Sequence, residues 1–68
     1  MSIARITELI SESPDSFDDA VRKGIERANR TLKNVRGAWV EDQKVECDDS
    51  GAIKVFRVAL KVTFVLDD

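Results

Sequence analysis

A chain of 68 residues can build one small domain, here taken to span 1–68, and a domain of that size hides only about 60% of the surface its unfolded form exposes. The usual reinforcements are missing, because Cys47 is the only cysteine and there is no histidine, which excludes an internal disulfide and a Cys/His zinc site and leaves self-association as the stabilising device. Eleven basic residues against thirteen acidic ones give a net charge of −2, and the scatter of the basic residues disfavours nucleic-acid binding, which needs a concentrated cationic face.

Enzymatic function is disfavoured by the same composition. Without histidine, and with no evident activating partner for Cys47, few groups remain for acid–base or nucleophilic chemistry, so a binding module is expected. The segment Met1–Arg5 carries no long apolar run, and no stretch approaches the roughly 20 apolar residues of a membrane span. A lone thiol fits a reducing compartment. The expectation is a cytoplasmic protein with neither a membrane nor a nucleic-acid partner.

Residues 3–10 are apolar and β-branched enough for a strand, although Leu9 and Ile10 are adjacent and interrupt the alternation, which leaves room for a bulge near the strand's end. Ser13-Pro14-Asp15 reads as a helix start. Ser13 would be the N-cap, Pro14 the first helical residue, and Asp15 the acid at the positive end of the dipole. Phe17, Ala20, Val21, Gly24, Ile25, Ala28, Leu32 and Val35 recur at three- and four-residue spacing and gather on one helical face. The opposite face pairs Asp18 with Arg22, Asp19 with Lys23 and Glu26 with Arg30, a pattern typical of a solvated helix surface. Gly24, in mid-helix, forfeits roughly 1 kcal/mol against alanine and points to a close helix-to-sheet contact. The helix is expected to end near Asn34.

A second strand is expected over 37–45, and Asp48-Asp49-Ser50-Gly51 has the chemistry of a hairpin turn. In the third strand Phe56, Val58, Leu60, Val62, Phe64 and Leu66 alternate with Arg57, Ala59, Lys61, Thr63 and Val65, and the first set should face the helix. The resulting fold class is α+β. Its order is βαββ, a three-stranded antiparallel sheet packed on one helix with the third strand central. The other sheet face would carry Arg57, Ala59, Lys61 and Thr63 together with Trp39, Glu41 and Gln43. A tryptophan on an open face points to a partner.

In their order and spacing, Ser13-Pro14-Asp15-Ser16-Phe17, Arg27-Ala28-Asn29-Arg30-Thr31-Leu32-Lys33-Asn34-Val35, Asp42-Gln43-Lys44-Val45-Glu46, and the run from Phe56-Arg57-Val58 to Phe64-Val65-Leu66 resemble the dodecin family from end to end. The resemblance implies a hollow homododecamer with helices outside, holding flavins in pairs near its symmetry axes. It also implies storage or buffering of riboflavin or FMN, with quenching of their photochemistry and no turnover. The physical logic is an isoalloxazine stacked on an indole, with a polar sheet residue fixing its edge.

In flavin-binding members the stacking tryptophan stands two residues after the Asn-Val that closes the helix. Here that place holds Gly37, and Trp39 lies two positions later, about 6.6 Å further along the strand on the same face. Arg57 stands where many of these members have glutamine. Arginine donates to a carbonyl edge or stacks on a ring but accepts no hydrogen bond. Trp39, Arg57 and Gln43 are therefore the candidate flavin contacts, with Trp39 read either as a displaced flavin platform or as an aromatic anchor between subunits. Family positions sometimes associated with metal correspond to Asp15 and Asp42. A first-turn acid and a solvated strand acid account for these two, and no metal site is expected. The alternative to flavin storage is an oligomeric scaffold that has lost the flavin or binds another small ligand, such as an anionic cofactor.

Overall fold

The computed structural model describes residues 3–66. The elements run β1 (Ala4–Ser13), α1 (Phe17–Thr31), β2 (Val35–Cys47) and β3 (Ile53–Val65). The sheet order is β1-β3-β2, antiparallel throughout, so the expected βαββ architecture with a central third strand is what forms.

The strict alternation of β3 decides the core. Val58, Leu60 and Val62 are buried against Ala20 and Ala28 of α1, with Leu9, Phe17, Val21, Ile25, Leu32 and Val35 packed around them. Phe17 meets Phe56 edge to face at 5.1 Å. Leu66, expected among the helix-facing residues, lies just past the strand and is exposed. The two long strands have 13 residues each and reach about 44 Å, whereas a helix of 15 residues spans only about 22 Å. The helix covers the middle of β1 and β3 and reaches β2 least, so Val40, opposite Leu60 on that edge strand, stays exposed, as does Ile53 at the start of β3.

Gly24 is the close contact its place in the helix predicts. A Cβ there would stand 2.8 Å from Leu60 Cδ1, 3.1 Å from Ser11 Cβ and 3.3 Å from Leu9 Cδ1. Leu60 is buried and Ser11 Cβ is fixed to its strand, so a larger side chain crowds the helix against the sheet. Gly24→Val is expected to lower stability by about 1–3 kcal/mol, the usual cost of overpacking. Chemical denaturation at fixed protomer concentration measures it, and an unchanged midpoint would show that the helix does not rest on this contact.

The start of the helix differs from the sequence-based expectation. Ser16, not Ser13, is the N-cap, its hydroxyl accepting from the Asp19 backbone N–H at 2.9 Å. The reason is Pro14, which drives the residue before it into extended backbone, so Ser13 closes β1. There Ser13 is buried, accepts from the Asp15 N–H at 2.9 Å and donates to Asp19 Oδ2 at 2.6 Å. That bond, joined by Lys23 at 2.9 Å, holds the Asp19 carboxyl below the usual carboxylate range. Among the described residues, Asp19–Lys23 is the one member of the three expected helix pairs that closes as an ion pair.

The helix stops three residues earlier than expected. Leu32, as C-cap, returns its N–H to the Ala28 carbonyl at 2.9 Å, and Asn34 turns the chain with a φ of 60°. Strand β2 consequently starts at Val35. No bulge interrupts β1, whose pairing with β3 is regular throughout; Leu9 simply faces the helix and Ile10 the bare side. The irregularities lie in β2, at Val35/Gly37, Val40/Asp42 and Glu46/Cys47. The hairpin turn forms as expected, with Asp48 Oδ1 accepting from the Ser50 N–H at 2.9 Å and the Ser50 hydroxyl at 2.6 Å. Gly51 supplies the positive φ of 87°.

Candidate ligand-binding face

The face of the sheet turned away from α1 is built around alternate residues of β3: Arg57, Ala59, Lys61 and Thr63. Opposite them β1 contributes Glu12, Ile10, Glu8 and Ile6, and β2 contributes Lys44, Asp42, Trp39 and Gly37. Directly opposed residues share a sheet face. Trp39 is 61% exposed, Ile10 68% and Ile6 52%, so this face is an apolar surface with charged rows across it, open in the single chain.

Both cations of the central strand are flanked by acids. The Arg57 guanidinium reaches Glu12 Oε1 at 2.8 Å and Glu46 Oε1 at 2.7 Å, with a second bond from Nε to Glu12 at 3.2 Å. Lys61 Nζ lies 3.4 Å from Glu41 and 3.9 Å from Glu8. The hydrogen bond from Arg57 to Glu12, reinforced by the charges of Glu12 and Glu46, makes the guanidinium hold its proton even more tightly than usual. Between these rows is a shallow depression of about 340 Å³, lined by Ile10, Asp42, Gln43, Lys44, Arg57 and Ala59.

Trp39 is where the sequence placed it, on the bare face beside Lys61. Arg57 shares that face. Trp39 pairs with Lys61, four residues from Arg57 along β3, a backbone separation of about 13 Å at the usual rise. Gln43 differs from expectation. The shift at Val40/Asp42 inserts an extra residue into β2, so that Glu41 and Asp42 both serve the bare side while Gln43 falls opposite Val58, on the helix side of the sheet. An inserted residue in one strand reverses the facing of every residue after it. Gln43 still borders the depression, at the exposed margin of the strand.

Asp42 lies opposite Ala59 on the bare face, whereas Asp15 sits in the turn leading into α1. The fold does not bring this pair together, and among the described residues no group of three or more Cys, Asp or Glu side chains is disposed to hold a metal ion. Sequence reasoning missed Glu12, Glu46 and Lys44 as members of the face. The available signal was the alternation of Glu8, Ile10 and Glu12 in β1, where the expected strand stopped short. Among the described residues no helix is long and apolar enough to cross a membrane.

A three-stranded antiparallel sheet backed by one helix and bare on its other face defines a small α+β protein of the βαββ class. The chain belongs to the dodecin family, whose profile, described as Dodecin, matches residues 3–67. It is similar to the dodecin from Streptomyces davaonensis, with a TM-score of 0.92 and 36% identity covering 98% of this chain and 97% of that one. It is 31% identical over 64 residues to the calcium dodecin of Mycobacterium tuberculosis, covering 94% of this chain and 89% of that protein. The crystal structure of that organism's calcium dodecin, described as a calcium-chelating immunodominant antigen with a novel calcium-binding site, matches with a TM-score of 0.83 and 29% identity, covering 97% of this chain and 93% of that one.

Proposed function

We propose that the protein is a flavin-binding storage module, a cytoplasmic homododecamer that holds riboflavin or FMN without catalysis. The observation that carries this reading is Trp39, an indole 61% exposed on the bare sheet face that also presents Ile6 and Ile10. Large apolar side chains gathered on one open face mark a surface that receives a ligand or another copy of the chain. An indole is a flat platform for an isoalloxazine, which makes the surroundings of Trp39 suitable for a stacked flavin. Membership of the dodecin family supports assembly into a shell. With Trp39 and Arg57 about 13 Å apart along the backbone of one chain, the reading has Trp39 of one copy and Arg57 of another meet across a subunit contact. Bound there, the flavin would supply a long-wavelength chromophore. The chain's part is to stack against it, orient its edge and exclude water.

A second reading is a dodecin-like shell that has lost flavin or takes another small ligand, and the relative named calcium dodecin is what favours it. A riboflavin titration followed by fluorescence, with light scattering on the same sample, tests the first reading. The expected result is a large symmetric particle that quenches the flavin strongly. A large particle that leaves riboflavin bright supports the scaffold, and a monomer at micromolar concentration rejects both.

A further inference from the structure

Resting on the flavin reading, we infer that Gly37 is the floor of the ligand slot. The ring stands over position 37 with its face against Trp39, and the Thr63 hydroxyl accepts a hydrogen bond from a ring N–H.

Of the three glycines, two answer to the fold. Gly51 takes a positive φ of 87°, and Gly24 lies where a Cβ would crowd Leu60. Gly37 does neither. Its φ is not positive, and apart from its chain neighbours a Cβ there would meet Thr63 Oγ1 alone, at 3.9 Å, an ordinary van der Waals distance. The register shift at Val35/Gly37 therefore does not require glycine, since backbone and space both admit a side chain. A glycine inside a strand weakens it, and where no bulge or bend demands one it marks the close approach of a ligand or another backbone.

The room at position 37 lies next to Trp39. Pairing is regular from Gly37 to Trp39, so the two share the bare face about 6.6 Å apart. A ring packed at about 3.5–4 Å from the indole stands over Gly37. Across the three strands that row reads Ile6, Thr63, Gly37 and is uncharged, with Arg36, the residue inserted by the register shift, bordering it. Thr63 spends its hydroxyl hydrogen on the Gly37 carbonyl at 3.1 Å, which leaves the oxygen as an acceptor. It supplies what Arg57 and Lys61, both donors only, do not: a partner for the imide N–H of an isoalloxazine.

The experiment titrates riboflavin, followed by its fluorescence, into the full-length assembly of the parent, Gly37→Val, Thr63→Val and Thr63→Ser, with light scattering and a denaturation midpoint on each. Gly37→Val is expected to keep the particle, to hold or raise the midpoint because valine favours strands, and to bind riboflavin at least about tenfold more weakly, within the range for losing an aromatic stack. Thr63→Val should weaken binding about two- to tenfold, the worth of one neutral hydrogen bond, and Thr63→Ser should restore it. Gly37→Val binding riboflavin as tightly as the parent overturns the inference while leaving the flavin reading intact. So does a Gly37→Val chain that no longer assembles, which would place another copy of the chain, not a ligand, over Gly37. Thr63→Val and Thr63→Ser weakening binding equally removes the hydroxyl from the site. If the parent leaves riboflavin bright, the flavin reading itself fails and the inference goes with it.

Discussion

Leu60→Ala is expected to destabilise the folded chain by about 2–5 kcal/mol, the range for removing a large aliphatic side chain from a packed core. Leu60 is 1% exposed and stands on the central strand beneath Gly24, where the helix and sheet are in closest contact. Its neighbour Lys61 points the other way, with a side chain 37% exposed and two ion partners. Surface pairs of that kind contribute about 0.2–1 kcal/mol, so Lys61→Ala should cost well under half as much. Denaturant midpoints compared at equal protomer concentration make the test, since coupling to assembly shifts apparent stability with concentration. Equal losses for the two substitutions would mean that the sheet presents its faces the other way round.

The second large effect is on Trp39. With a flavin stacked on the indole, the excited isoalloxazine has a fast electron-transfer route in van der Waals contact, and riboflavin emission should be strongly quenched on binding. Trp39→Ala should abolish that quenching and weaken binding by about 1–3 kcal/mol, taking base–aromatic stacking as the nearest analogue. Arg57→Ala should lower affinity yet leave most of the quenching of whatever flavin still binds, because an edge contact does not replace the stacking partner. If Trp39 anchors one subunit on another instead, Trp39→Ala will dissociate the particle and leave flavin emission unchanged from that of the parent.

What the sequence made legible was whatever depends on periodicity alone. The alternation of β3 named Val58, Leu60 and Val62, and the three- and four-residue spacing named Ala20, Gly24 and Ala28; each is buried in the helix–sheet core. The helix start was harder because Ser13-Pro14-Asp15-Ser16 offers two serines able to cap, and the choice turns on what proline does to the residue before it rather than on capping preference. Gln43 was assigned the wrong face because a single extra residue in β2 inverts the alternation after Val40, and nothing in Val40-Glu41-Asp42-Gln43 announces it. The ladder around Arg57 was invisible for another reason. Glu12, Glu46 and Arg57 lie on three different strands, and only the register of the sheet brings them together.

The contact at Gly24 has a bearing on how this chain can change over time. Because a Cβ at position 24 would meet Leu60 first, with Ser11 and Leu9 a few tenths of an ångström further off, the volume at position 24 is coupled to the volume at position 60. A larger residue on the helix is better tolerated if the strand gives up a branch at position 60. The converse also holds, since a smaller residue at 60 opens space that a side chain at 24 could occupy. Drift at either position is therefore tied to drift at the other, although the two are 36 residues apart in the chain, and the helix–sheet spacing can persist through substitutions that would be damaging one at a time.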